Sequence, residues 1–161
     1  MIRRLLLASL VTSCLFSGVA VSATPPLVVR GPVHLTAAGN KGLSAVMGTF
    51  VNTTKRSVLI YRVTSDVANP AMLHYDVNMC DKGQRMNTLP VVVVPPGGTI
   101  KLTTKGLGAM LFPLKRSLHR GDHVMLMVKY RWKKSVSMLH IVATVVRAPK
   151  GLIHSKRSSV G

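Results

Sequence analysis

Residues 85–112, RMNTLPVVVVPPGGTIKLTTKGLGAMLF, predict short apolar strands joined by a tight turn. Valines fill positions 91–94, and β-branched residues of this kind favour strands. The next four residues, Pro95-Pro96-Gly97-Gly98, have the composition of a turn, and a second apolar strand follows them. The stretch also contains two isolated methionines, Met86 and Met110, which could be core residues or soft metal ligands.

The rest of the chain continues this pattern of short strands and turns. Strands are predicted at residues 46–51, 58–63, 72–77, 89–94, 99–102, 109–114, 124–132 and 136–146. Turns are predicted at Asn52-Thr53-Thr54, Asn69-Pro70, Asp81-Lys82-Gly83, Pro95 to Gly98 and Arg120-Gly121-Asp122. Residues 124–128 are apolar on both faces, which indicates a central strand. Strands at this spacing, without a long helical period, predict an antiparallel β-sandwich or barrel.

The amino terminus has the composition of a secretory signal peptide. Arg3 and Arg4 form a basic start, residues 5–20 are mostly apolar, and Val21-Ser22-Ala23 has the small residues of a cleavage site. We therefore expect residues 1–23 to be removed near Ala23 and the protein to be periplasmic. A second interpretation remains, because Val11-Thr12-Ser13-Cys14 is similar to a bacterial lipobox and would make the protein a lipoprotein attached through Cys14.

The sequence after the leader predicts one domain and a tail. Residues 24–150 suit a single domain with one core, and residues 151–161 form a basic segment without pattern that we expect to be disordered. Only Cys80 remains after cleavage near Ala23, which excludes an intramolecular disulfide in the mature chain.

The chain is strongly basic, with a formal net charge of +18 and only four acids. The basic residues are scattered and aromatic residues are few, so nucleic acid is a poor partner for an exported protein. A solvated basic surface is one interpretation of this charge. The alternatives are association with an anionic membrane surface or with an acidic protein partner.

The sequence does not predict an enzyme. The four acids are dispersed, and no nucleophile elbow, zinc-protease motif or phosphate-binding glycine loop is present. A thiolate at Cys80 with His74 as its base would still need an orienting third group, for which there is no candidate. A thiol protein acting through Cys80 nevertheless remains an alternative to a binding protein.

Soft metal donors are concentrated in one part of the chain: His74, Met79, Cys80, Met86 and Met110. Cu(I) prefers thioether, thiolate and imidazole ligands, and a thioether neither carries a proton nor forms a disulfide. Each of these residues taken alone could equally be a packing or surface residue.

Their spacing resembles that of the periplasmic copper(I) chaperones of the PCu(A)C family. His74 is followed by Met86 twelve positions later, and Gly108-Ala109-Met110 occupies the place of the family's His-x-Met pair. The segment from Pro95 to Leu102 resembles the family's Pro-Ala-Gly-Gly-Thr motif, and residues 110–122 resemble its next strand and turn. The similarity covers about 100 residues.

The resemblance implies a cupredoxin-like antiparallel β-sandwich of about eight strands that carries Cu(I). It implies His74, Met86 and Met110 as ligands, and as partner a copper acceptor such as a respiratory oxidase subunit or another copper chaperone. Gly108 departs from the family histidine, and a His-Met-Met site should bind Cu(I) more weakly. Cys80 and Met79 are possible auxiliary ligands. The alternative is a copper-independent basic binding module on the same fold.

Overall fold

A computed structural model describes residues 24–77 and 85–148, and every regular element in these two ranges is a β-strand. The ten strands are β1 (Leu27–Thr36), β2 (Ser44–Asn52), β3 (Val58–Ser65), β4 (Ala68–Val77), β5 (Arg85–Thr88), β6 (Val92–Val94), β7 (Thr99–Leu102), β8 (Leu107–Leu111), β9 (His123–Trp132) and β10 (Ser135–Val146). Within the same ranges no helix is long and apolar enough to cross a membrane. The predicted signal peptide, the turn at residues 81–83, the auxiliary ligands Met79 and Cys80, and the tail after residue 150 lie outside the described residues.

The strands form one sheet that closes on itself. Its order is β5-β4-β8-β2-β1-β10-β9-β3-β6, β7 also pairs with β2, and a further pairing of β4 with β3 completes a ring. All strand pairs are antiparallel except β1 with β10, which run parallel. The all-β, cupredoxin-like fold class predicted from the sequence is confirmed, with ten strands where about eight were expected.

The two additional strands are those with weak strand signals. Strand β1 contains Gly31-Pro32, and its pairing with β2 shifts register between Arg30 and His34. Strand β5 is only four residues long and contains one large apolar residue, Met86. Both depend on hydrogen bonds to neighbouring strands, because tertiary pairing overrides weak local preference.

The predicted turn at Asn69-Pro70 is wrong. Both residues belong to β4, and the turn lies earlier, at Asp66-Val67. The β3–β4 ladder shifts register between the pairs Val63 with Ala71 and Ser65 with Ala68. A proline cannot donate a backbone hydrogen bond, and such an irregularity is where a strand tolerates one.

The core lies inside the closed sheet and is lined by alternate residues of each strand. In β9, Val124, Leu126 and Val128 are buried, whereas Met125 is 44% exposed. Strand β9 lies between β10 and β3, as expected for a central strand. Its second apolar face is on the outer surface rather than in a second layer of core.

Asn52 joins two turns at one end of the ring. Its side chain is 1% exposed, and its Nδ2 donates to the carbonyl oxygens of Arg56 (2.7 Å), Val94 (3.1 Å) and Pro95 (2.9 Å). Its Oδ1 accepts from the backbone nitrogen (2.9 Å) and the hydroxyl (2.8 Å) of Thr54. One buried amide therefore holds the β2–β3 turn against the β6–β7 turn.

Asn52→Ala should lower the free energy of unfolding by about 3 kcal/mol, because it leaves several buried backbone groups without their hydrogen-bond partner. Urea denaturation would show a lower midpoint at unchanged slope. Asn40→Ala is the matched control at an exposed site, where the side chain accepts one hydrogen bond from Lys41, and should cost less than about 1 kcal/mol. Equal losses for the two variants would contradict the role of Asn52.

Candidate metal site

The candidate site lies where β4 stops pairing with β3 and begins to pair with β5. The first half of β4 pairs with β3 through Ala68 and Ala71, and its second half pairs with β5 from His74 onward. Strand β8 pairs along β4 from Met72 to Tyr75. His74 therefore belongs to the middle strand of the local order β5-β4-β8.

The register of these strands brings the predicted positions together. His74 pairs with Gly108, and Met110 pairs with Met72. Side chains two residues apart on a strand share a face, and directly paired residues share it too. Positions 72, 74, 108 and 110 therefore occupy one face of the β4–β8 pair.

This face is the outer one. Leu73 and Ala109, which alternate with the site residues, both belong to the hydrophobic core. His74 and Met110 are nevertheless 1% and 7% exposed, whereas Met72 is 48% exposed. An imidazole and a thioether are thus held just beneath the surface, with a second thioether open to solvent beside them.

Gly108 provides the space that His74 fills. A β-carbon built on Gly108 would lie 2.7 Å from both Cε1 and Nε2 of His74, and 2.8 Å from the carbonyl oxygen of Thr103. Contacts this short do not occur for real β-carbons, so no side chain fits at 108 while the ring of His74 stays where it is. The presence of Gly108 in place of the family's second histidine is therefore coupled to the position of the His74 ring.

Met86 is described by its backbone only. It lies in β5 and pairs with Asp76, two residues from the pair of His74 with Thr88. The structure thus places the three predicted ligand positions, 74, 86 and 110, on three adjacent strands. That His74, Met86 and Met110 bind a metal, with or without Met79 and Cys80, stays a prediction.

Met72 is a candidate that the sequence reasoning did not include. It is paired with Met110 and precedes His74 by two residues on the same strand. The signal was present in the sequence, since alternation within a predicted strand puts residues 72 and 74 on one face. Without the register there was no reason to prefer Met72 over the other methionines.

The described residues contain no group of three or more His, Cys, Asp or Glu side chains that could hold a metal ion. The donors around His74 in these parts of the chain are thioethers. Such a set favours a soft ion such as Cu(I) over zinc, calcium or magnesium.

Comparison with solved structures defines the class of fold. The chain is similar to the apo PCuAC domain of PmoF1, with 16% identity, a TM-score of 0.61, and coverage of 78% of this chain and 98% of that domain. It is similar to the solution structure of Cu(I)-bound DR1885 from Deinococcus radiodurans, with 24% identity, a TM-score of 0.59, and coverage of 79% and 82%. The copper-bound PCuAC domain of PmoF2 gives 14% identity and a TM-score of 0.60, with coverage of 79% and 97%. The protein therefore has the β fold of PCuAC domains, as the sequence resemblance implied.

A family assignment follows from the sequence itself. The profile of the family described as "Putative lipoprotein LpqE-like" matches residues 17–139, which is most of the chain. The protein belongs to this LpqE-like family. No match was found among curated protein sequences.

Gly108→Ala should lower the free energy of unfolding by about 1 to 3 kcal/mol, because the new methyl group overlaps His74 and the carbonyl of Thr103. Combined with His74→Ala, it should cost less than the sum of the two single changes, with a coupling of about 1 kcal/mol or more. Urea denaturation of the four proteins measures this coupling.

Gly39→Ala is the matched control, since a β-carbon there meets nothing within 4 Å. Its effect should stay within about 0.5 kcal/mol. Strict additivity of Gly108→Ala and His74→Ala would show that the ring of His74 does not occupy the space beside residue 108.

Proposed function

We propose that the protein is an exported copper(I)-binding chaperone that passes the ion to another protein. The observation that carries this proposal is the placement of His74 and Met110 on one outer face of adjacent strands, with Met86 on the next strand. The fold shared with PCuAC domains, one of which is copper-bound, supports it. Copper is the cargo in this proposal, and no catalytic role is assigned.

The donor set consists of His74, Met86 and Met110, and we add Met72 as an exposed fourth donor. One imidazole with thioethers suits Cu(I), because none of these ligands binds a hard cation well. Met72, on β4, supplies the fourth ligand that Gly108, on β8, cannot supply. Cys80 and Met79 follow β4 in sequence and remain possible auxiliary ligands, with a thiolate at Cys80 the stronger of the two.

The proposed partner is a copper acceptor, either a subunit of a respiratory oxidase or another copper chaperone. An exposed thioether beside buried donors supports transfer, because an incoming ligand can reach the ion before the inner donors release it. The DR1885 structure, described as Cu(I)-bound, provides an example of this fold holding the ion that the proposal requires.

A second candidate function is a copper-independent binding module on the same fold. The packing of His74 against Gly108 favours it, because that packing removes a second imidazole and buries the first. The two functions differ in one measurable property, the affinity for Cu(I).

The copper proposal predicts one-to-one Cu(I) binding in an anaerobic competition against a chromophoric chelator. Met86→Leu with Met110→Leu should weaken binding by about 100-fold, at roughly tenfold per thioether lost. Met72→Leu alone should weaken it by about tenfold, and Cys80→Ser reports whether the thiolate contributes. The matched control is Met125→Leu with Met138→Leu, two exposed methionines on β9 and β10, which should leave affinity unchanged.

Two outcomes would contradict this proposal. Absence of Cu(I) binding in the natural protein would favour the copper-independent module. Equal weakening in the control pair would mean that surface methionines bind copper without a defined site. Gly108→His is an ambiguous variant for this purpose, since it gains an imidazole only by displacing His74.

We further propose that the protein is exported and held at the membrane by lipid attached to Cys14. The family description as a putative lipoprotein supports this alternative over cleavage near Ala23. Cys14→Ser should move the protein from the detergent phase to the aqueous phase in a detergent partition of intact cells. Cys80→Ser is the matched control and should stay in the detergent phase. A mature protein that begins at Thr24 would contradict lipid attachment.

A further inference from the structure

The outer surface of β3, β6, β9 and β10 exposes several large apolar side chains. Six of them are at least one-third exposed: Tyr61, Val93, Met125, Val136, Met138 and Val142. In the sheet register, Val93 and Val136 lie in one row with Leu59 and Arg131, and Met125 is paired with Val142 nearer the other end of the strands. An exposed apolar patch beside polar residues marks an interaction site.

A cationic groove lies at the end of this surface. It has a volume of about 490 Å³ and is lined by Arg56, Ser57, Leu59, Pro96, Arg131 and Lys133. The ammonium group of Lys133 lies 4.2 Å from the ring centroid of Trp132, the only tryptophan in the chain. Three cations thus surround one depression, and none of the described residues that line it is acidic.

An apolar groove of about 330 Å³ continues directly from the cationic one. It is lined by Leu59, Tyr61, Pro90, Val91, Arg131 and Val136. Leu59 and Arg131 line both grooves, so the two form one amphiphilic depression. Asp66 and Asp122 lie at the opposite ends of β3 and β9 from Arg56 and Lys133.

The amino-terminal end of the described chain lies beside this depression. The carbonyl oxygen of Pro26 accepts a hydrogen bond from the backbone nitrogen of Thr53, and that of Pro25 accepts one from the Thr53 hydroxyl. Thr53 is three residues from Arg56. The ten residues 15–24 link Pro25 to Cys14, so the two lie at most about 40 Å apart. A lipid at Cys14 would therefore hold this end of the fold close to a membrane.

We propose that this amphiphilic depression binds the surface of an anionic lipid bilayer. Arg56, Arg131 and Lys133 contact the negatively charged headgroups, and the exposed apolar residues, Val136 foremost, contact the acyl boundary. The headgroup region of an anionic bilayer is charged at its surface and apolar beneath. Cations beside an apolar strip therefore match a bilayer better than they match an acidic protein surface. The site is separate from the copper site, which lies on β4, β5 and β8.

The test uses the exported protein with Cys14→Ser, so that no lipid anchor contributes. Co-sedimentation is measured with vesicles of phosphatidylcholine alone and of phosphatidylcholine with phosphatidylglycerol. We expect binding only with the anionic vesicles, weakening as salt is raised.

The decisive variant is Arg56→Gln with Arg131→Gln and Lys133→Gln, which should weaken binding about 100-fold. The matched control removes the same charge elsewhere, with Lys101→Gln, Lys105→Gln and Lys115→Gln, and should bind within a factor of about 3 of the parent. Val136→Ser should weaken binding severalfold at unchanged charge.

Three results would overturn the proposal: no preference for anionic vesicles, equal weakening in the two triple variants, or no effect of Val136→Ser. The last would point to an acidic protein as the partner, since such a partner needs no apolar contact at Val136. Cu(I) affinity should be the same in all these proteins, so failure here leaves the copper proposal standing.

Discussion

The change of partner along β4 is the constraint on which the candidate site depends. As far as Ala71 this strand pairs with β3 and closes the ring, and from His74 it pairs with β5 instead. The second half of β4 is thereby flanked by β5 and β8. The side chains at positions 74 and 110 are on the outer face of this part of the sheet and yet are buried, so a polar imidazole and an adjacent thioether lie beneath the surface without entering the core.

Glycine at position 108 determines how the histidine at position 74 packs. A histidine pair would require both side chains to share the space above the β4–β8 ladder, whereas here one ring takes the whole of it. The family's second histidine is thus absent at position 108, and the ring of His74 packs against Gly108 in the space that its side chain would need. Among the described residues, the methionines paired with or next to this position on β4 and β8 are Met72 and Met110, and Met86 lies on the adjoining strand β5.

The features that the sequence predicted correctly are those that repeated local patterns encode, above all the positions of most strands. Runs of β-branched residues located eight strands, and the resemblance to the PCu(A)C family implied that His74, Met86 and Met110 would meet. Strand β1, interrupted by Gly31-Pro32, was not predicted because its formation depends on hydrogen bonds to β2 and to the distant strand β10. The packing of the His74 ring against Gly108 was not predictable either, since the spacing of residues in the sequence does not give the position of a side-chain ring. Met72 had the right alternation, but only pairing with Met110 distinguished it from other methionines.

The parallel pairing of β1 with β10 joins the first described strand to the last. Contacts between residues so far apart in sequence form late and slowly, because a long loop must close before they contribute. The ring of strands has no closed form until β10 has been synthesised. A nascent chain of this topology therefore lacks its complete core until β10 is available, and until then β1 and β9 each have an edge without its partner strand.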